Sequence, residues 1–535
     1  MTTPGRFPRP YRRSADQDRS TPARHPVVIV GGGPVGLALA VDLGQRGVPC
    51  VVVDGKAELG EGSRSLCYAK RTLEILDRLG VGERAVAKGV TWRRGKVFHR
   101  TGLLYEFDLL PEGGHKRPAF INLQQYYLEE FLFERAQELP AIDLRFQNRC
   151  VGVDVRPDHV RVELETPEGP YALEADWLVA CDGSRSKVRE AMGLSFEGRV
   201  FEDRFLIADI KMPADYPAER WFWFDPPFNP GQSALLHKQP DDVWRIDLQL
   251  GRDADPALER KPERVRARLE AMLGKERPFE LEWISIYTFQ CRRLARFVHG
   301  SVIFAGDAAH LVSPFGARGF NSGVQDTDNL AWKLAAVLAG EAPAALIASY
   351  GTEREVAADE NLLNSTRSTD FITPKSTASR TIRDAALSLA AEAPFARALI
   401  NSGRLSQPTI YATGLSTPDS DEFGGTARLG GPLPDAPLVS AGGRPTWLLD
   451  LLEPRFTLIH CGSAPPCALP ANVACLRIGH DAYDVESVFE QRYDARPGSS
   501  WLVRPDQHLV ARFRDVDAAA LAGALRRALG WDMQA

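Results

Sequence analysis

The eight cysteines are scattered, at Cys50, Cys67, Cys150, Cys181, Cys291, Cys461, Cys467 and Cys475, with no CxxC pair among them. That pattern argues against a zinc site or a disulfide framework and fits a reducing compartment. No apolar run approaches the roughly 20 residues that span a bilayer as a helix. No excess of positive charge is present either. Lys and Arg number 65 against 70 Asp and Glu, a net charge of −5, so nothing pulls the chain toward nucleic acid or acidic membranes. The first 26 residues are rich in Arg and Pro and lack an apolar h-region, which argues against a secretory signal. Asp16 and Asp18 weaken a transit-peptide reading. The expectation is a cytoplasmic protein that binds no metal, with an N-terminal arm over residues 1–25, either disordered or laid along the surface.

What is present is the composition of a globular protein, 44% hydrophobic and 25% charged, long enough for two to four domains. Residues 303–334, IFAGDAAHLVSPFGARGFNSGVQDTDNLAWKL, are the most informative stretch. A buried-strand pattern stops at Gly306-Asp307. A loop with Pro314, Gly316 and Gly319 follows, then a long helical pattern. A carboxylate at a strand end can accept hydrogen bonds from sugar hydroxyls, and a glycine-rich turn opening a helix presents backbone N–H groups to an electron-rich ligand. Read locally, the same pattern also fits an ordinary strand–loop–helix connection.

Two upstream motifs change its meaning. A buried strand, Pro26 to Val30, leads into Gly31-x-Gly33-Pro34-Val35-Gly36, a helix from Leu37 to Arg46, and a strand from Cys50 to Asp54, followed by Gly55-Lys56. The glycines permit a tight turn and close approach of a pyrophosphate to the helix N-terminus. Asp54 stands where an acid binds a ribose hydroxyl. The second motif, Asp182-Gly183-Ser184-Arg185-Ser186-Lys187-Val188-Arg189, follows the buried strand Trp177 to Ala180. Alone, it reads as a turn capped by Ser184 or Ser186.

Elsewhere the pattern predicts helices from Tyr68 to Leu79 and from Gln125 to Leu139, and a hairpin over 95–108. Residues 200–290 read as a mostly antiparallel sheet interrupted by the helix Pro262 to Leu273. Residues 405–435, rich in Ser, Thr, Pro, Gly and Asp, read as a linker. A last unit over 436–535 reads β-α-β-α-β-β-α.

The order of the three motifs resembles the group A flavoprotein aromatic hydroxylases of the p-hydroxybenzoate hydroxylase fold. Among these the chain is most similar to members with a thioredoxin-like C-terminal domain, such as phenol hydroxylase and 3-(3-hydroxyphenyl)propionate hydroxylase. The resemblance implies an α/β fold with a Rossmann-like FAD-binding domain built from 26–199 and 291–404, a β-sheet substrate domain over 200–290, and a thioredoxin-like domain over 436–535. It implies FAD as cofactor, NADPH or NADH and O2 as co-substrates, and a homodimer. Gly31, Gly33, Pro34, Val35, Gly36, Asp54, Gly55 and Lys56 would hold the adenosine half of FAD, and Arg64 would face the pyrophosphate. Gln125 and Asp307 would hydrogen-bond the ribityl chain. Asp182 and Arg185 would serve FAD and the nicotinamide together. Pro314 belongs to the loop before the flavin ring, and backbone at Gly319, Phe320 and Asn321 would face its pyrimidine edge. The last domain departs from true thioredoxins, because five residues separate Cys461 from Cys467, so no catalytic dithiol is expected.

The implied activity is hydroxylation of a phenol through a flavin C4a-hydroperoxide. The Asp that phenol-hydroxylase-type members carry before the Arg71-Thr72-Leu73-Glu74 run is replaced by Leu66. Tyr68, His237, Arg245 and Tyr287 are the polar candidates for the substrate pocket. Arg245 or His237 would anchor a substrate carboxylate, and Trp221, Trp223 and Phe224 would form an aromatic wall. Alternatives on the same scaffold are a Baeyer–Villiger or epoxidising oxygenase of polyketide tailoring, and a non-catalytic FAD-binding protein. A halogenase is disfavoured, since no WxWxIP motif is present.

Overall fold

A computed structural model describes residues 8–58, 65–251, 253–400, 405–412 and 414–533. Arg64 lies outside them. The first sheet runs Val302–Phe304, Gly169–Ala180, Ala23–Val30, Cys50–Asp54 and Ile142–Phe146, all parallel. Strands buried on both faces read as continuous apolar runs, and Val27, Val28, Ile29 and Val30 are accordingly between 0% and 4% exposed. The helix Pro34–Gln45 packs on this sheet and against the helix Gly319–Leu338. The first helix starts at Pro34 rather than Leu37, because proline suits the first helical turn, where its missing N–H costs nothing.

The helix expected from Tyr68 begins instead at Lys70. Cys67–Ala69 form a short strand paired with Phe120–Asn122. Trp177 to Ala180 is the end of one long strand, Gly169–Ala180, whose first half pairs with an antiparallel meander.

The second sheet is ordered His310–Leu311, Glu280–Leu294, Phe196–Lys211, Val243–Leu250, Ser233–Lys238, Arg220–Phe224, Arg94–His99 and Gly102–Asp108. It therefore takes strands from outside 200–290. The hairpin 94–108 joins through parallel pairing of Arg94–His99 with Arg220–Phe224. Its two faces differ. One packs Leu236, Trp244, Ile246 and Leu248 against Val265 and Leu269 of the helix Pro262–Leu273. The other carries one row of polar residues and, beyond it, Phe205, Phe222 and Phe224, which pack with Phe315, Ile372 and Leu387.

The third sheet is ordered Pro445–Trp447, Pro437–Ser440, Ala482–Tyr483, Val473–Ile478, Phe456–Cys461, Ser500–Val503 and Leu509–Phe513. Phe456–Cys461 and Val473–Ile478 are parallel, and the following two strands are antiparallel. The helix expected between the parallel pair is absent: Pro465, Pro466 and Pro470 occupy that connection and cannot supply helical N–H groups. The helix Ala518–Ala528 buries Leu521, Ala524 and Leu525 in a core shared with Trp332 and Leu346.

The described part of the arm takes the second of its two expected forms, laid along the protein, and the expected linker is tied down. Residues 8–25 lie along the nucleotide-binding part, with Arg9 2% exposed, paired to Glu130 at 2.7 Å and stacked 3.5 Å over Phe133. Residues 405–412 and 414–435 have no helix or strand beyond one isolated bridge at Pro432. They nonetheless bury Tyr411, Leu415, Ala427 and Leu433.

Candidate active site

The turn after Ala23–Val30 is built for close backbone approach. Gly31 has φ +111°, and a Cβ there would meet the Cys181 carbonyl oxygen at 2.4 Å. A Cβ on Gly36 would lie 1.9 Å from the Gly31 oxygen. These two glycines let the helix, its strand and the strand ending at Ala180 touch. Gly33 is different: a Cβ there would meet nothing within 4 Å, so its backbone faces open space at the helix N-terminus. Asp54 accepts the Gly32 and Lys56 N–H groups at 2.8 Å each, shaping the turn, and each of its oxygens keeps a further lone pair. Gly55 and Lys56 are exposed beside it.

The third motif touches the first directly. Val35 fills the space beside Gly306 and Gly323, where a Cβ would approach its side chain to 3.1 and 2.8 Å. Asp307 lies exposed on the turn Gly306–Ala308, two residues past Ala305. Pro314 opens the tight turn that leads through Gly316, at φ +101°. The helix Gly319–Leu338 then starts with no side-chain cap. Gly319, Phe320 and Asn321 therefore present first-turn N–H groups that have no intrahelical acceptor.

The Asn321 side chain does structural work that its sequence context did not reveal. It accepts from Ala69 N and Thr72 Oγ1 and donates to Cys67 O and Ala317 O, pinning the strand Cys67–Ala69 to this loop. Tyr68, on that strand, is fully buried and packs edge-on to Phe320 at 5.2 Å. Burial pushes its phenol well above the ordinary value, so it holds its proton. Gln125 opens its helix, accepting from Ser65 N and donating to Glu129.

Asp182 accepts the Lys187 and Val188 N–H groups through Oδ2, while its Oδ1 is buried without a partner. An orphaned buried acceptor of this kind fits a ligand donor. Arg185 is exposed and lines a second cavity of about 460 Å3 together with Ser184, Arg189 and Arg292. The open backbone at Gly33, the Asp182 oxygen and the uncapped helix all fit a flavin dinucleotide.

The polar face of the second sheet closes a cavity of about 1340 Å3, lined among others by Arg220, Phe222, Phe224, Phe120, Phe315 and Val97. Strand register places Arg220, His237, Arg245, Asp209 and Trp283 in one row across this face. The expected candidates His237, Arg245 and Tyr287 thus share a face, with Tyr287 two rows farther along and 41% exposed. Arg245 is not a free anchor: its Nε and Nη2 donate to Asp209 at 2.8 and 2.7 Å, and both groups are buried. His237 is buried and held neutral, its pKa driven well below 6.5 by burial and then by Arg220 and Arg245. Of the expected aromatic wall of Trp221, Trp223 and Phe224, one residue in three faces the cavity. Phe224 lines the cavity with Phe222, whereas Trp221 and Trp223 point to the opposite face and pack into the apolar core there.

The residues that hold the turn Gly306–Ala308 from behind carried no signal in the sequence. Asp326 accepts Gly306 N at 2.9 Å, His310 Nε2 at 2.7 Å and Arg354 Nε at 2.6 Å, and Arg354 reaches the Tyr411 hydroxyl at 2.6 Å. Hydrogen bonds from His310 and Gly306, together with Arg354, hold the Asp326 carboxyl low despite its burial. Arg504 bridges Glu353 and Asp506 in the same interior and joins the third sheet to the helix Ala345–Ile372. The short turn Arg504-Pro505-Asp506 is visible in the sequence as one resembling a turn of such hydroxylase domains, whereas Asp326, His310 and Arg354 are joined only by the fold, with no local motif.

The chain matches the FAD binding domain family model over residues 24–365. It is 30% identical over 506 residues to a flavin-dependent monooxygenase of Mycobacteroides abscessus, covering 90% of this chain and 96% of that protein. It is 31% identical over 496 residues to the 12-dehydrotetracycline 5-monooxygenase/anhydrotetracycline 6-monooxygenase of Streptomyces rimosus, covering 91% and 95%. Among solved structures, the flavin-dependent monooxygenase PieE in complex with FAD and substrate has the same fold, with a TM-score of 0.82 at 24% identity over 95% of this chain and all of that one. The chain belongs to the FAD binding domain family of flavin monooxygenases.

Proposed function

We propose, with that family as premise, that the chain is a monooxygenase using FAD, NAD(P)H and O2 to hydroxylate a phenolic aromatic substrate. The observation that carries this reading is the juxtaposition of the cavity lined by Phe222, Phe224, Phe120 and Phe315 with the uncapped helix at Gly319. FAD, when bound, supplies the two-electron transfer from NAD(P)H and the activation of O2. One oxygen atom enters the ring and the other leaves as water.

The protein's share is binding, orientation and exclusion of water. Gly33 gives the pyrophosphate access to backbone N–H groups. Asp54 takes a ribose hydroxyl on its remaining lone pairs. Gln125 and Asp307 serve the ribityl chain, and Asp182 with Arg185 serves the flavin and nicotinamide nucleotides. The N–H groups of Gly319, Phe320 and Asn321 stabilise negative charge on the reduced ring. Phe222, Phe224 and Phe315 keep water out. The cavity exceeds the roughly 300–1,000 Å3 that suits a drug-sized ligand. That size, together with the tetracycline substrates named for the Streptomyces relative, favours a polycyclic phenol.

Residues 436–533 are proposed to be a thioredoxin-like domain without a dithiol. Its sheet order and terminal helix support this, as do the unpaired Cys461 and Cys467, with burial raising the Cys461 thiol to about 12. A substrate-sheet domain built on 200–290 and completed by the hairpin 94–108, a homodimer and a cytoplasmic location belong to the same proposal. No helix among the described residues is long and apolar enough to cross a membrane.

Purified protein is expected to be yellow, and a panel of mono- and polycyclic phenols should include members that stimulate its NAD(P)H oxidation. Colourless protein, or oxidation indifferent to every phenol, would remove the reading.

A further inference from the structure

The polar row across the substrate sheet holds two arginines of different status. Arg245 is met by Asp209. Arg220, separated from it by His237, lines the cavity, and its guanidinium takes part in no hydrogen bond or ion pair among the described residues. Cys67 and Asp247 are near enough to feel its charge, yet no carboxylate comes within ion-pair distance of it. Two more polar atoms here lack partners, His237 Nδ1 in the same row and Asp247 Oδ1 in the next. A half-buried guanidinium with no acceptor is costly unless something outside the chain supplies one. Its planar fork matches a delocalised oxyanion, which accepts two N–H bonds at once.

We propose that Arg220 anchors an oxyanion of the substrate, a carboxylate or the ionised hydroxyl of an acidic ring, so that the substrate class is an anionic aromatic. This rests on the hydroxylase reading above and sharpens it. Neutral His237 stands beside the same anion with an unfilled ring nitrogen. Arg245 stays with Asp209 and fixes the row. The aromatic walls Phe222 and Phe224 continue from Arg220 along the same strand face, so a ligand held at Arg220 by its charged end lies along them.

The test titrates FAD-loaded protein with matched ligands and follows the flavin absorbance. One pair is a polycyclic phenolic acid and its carboxamide. A second is two halogenated phenols of similar shape, one ionised and one neutral at the assay pH. The first pair reports a carboxylate site and the second a phenolate site. Wild-type protein should prefer the anion of at least one pair by about 10–100-fold, the range for a hydrogen-bonded charge pair. Arg220→Met should bring that ratio close to one, and Arg220→Lys should leave an intermediate ratio. If Arg220→Met fails to retain FAD, the Arg220→Lys ratio decides. Equal binding within both pairs, or a ratio untouched by the substitutions, would overturn the anchor. Discrimination without hydroxylation would instead break the hydroxylase reading and leave the anchor standing.

Discussion

Under the proposed function, the dinucleotide end and the substrate end of this molecule recognise ligands by opposite means. At Gly31, Gly33 and Gly36 the backbone itself is the binding surface, and two of the three glycines exist so that other backbone can come close. On the sheet face, recognition belongs to side chains, Arg220, His237, Arg245 and Asp209, whose meaning depends on which of them are already paired. Damage at the first end should remove the cofactor, whereas damage at the second should leave a flavoprotein that handles its substrate badly.

The largest effect is expected at Gly36. A Cβ there must displace the Gly31 carbonyl, so Gly36→Ala should cost more than about 3 kcal/mol and yield protein without FAD, read by the flavin-to-protein absorbance ratio. Retained yellow colour would break the comparison. Asp209→Ala strips Arg245 of its buried counter-ion and should cost about 3–5 kcal/mol in urea unfolding. It should nevertheless keep FAD while losing substrate stimulation.

Asp247 offers a pH test. Burial raises its carboxyl from 3.8 to about 6, so between these values the folded chain binds a proton that the unfolded chain has released. Stability from this group is highest below pH 4 and declines as pH rises through 6. Asp247→Asn should flatten that decline and raise stability at pH 8 by on the order of 1–3 kcal/mol. An unchanged pH profile would show that the sheet face is wetter than its geometry indicates. The smallest effect belongs to Arg9→Ala, about 1–2 kcal/mol from lost stacking on Phe133 and pairing with Glu130, with FAD content unaltered.

The same contrast explains what could be read in the chain before its fold was known. Glycine spacing records a backbone cradle directly, so Gly31 to Gly36 and the turn at Gly306-Asp307 were legible. The sheet face is written in register. The alternation that set Trp221 and Trp223 against Phe222 and Phe224 was visible, but not which face met the cavity. Whether Arg245 or Arg220 is the unpaired cation depended on Asp209, which lies 36 positions from Arg245 and is brought opposite it by strand pairing. The Asp326, His310 and Arg354 network joins distant positions and leaves no spacing signature. The missing helix after Cys461 was legible in Pro465 and Pro466, where the expected unit pattern outweighed the prolines.

Whether the glycine end presents a flavin to an aromatic held on the sheet face is decided by the fate of labelled oxygen. FAD-loaded protein, NAD(P)H and the phenol that best stimulates oxidation are incubated under oxygen-18 gas, and the product is weighed. One oxygen-18 atom per product, formed in step with NAD(P)H consumed, is the predicted result. Unlabelled product, or NAD(P)H consumed with only hydrogen peroxide formed for every phenol, would contradict it.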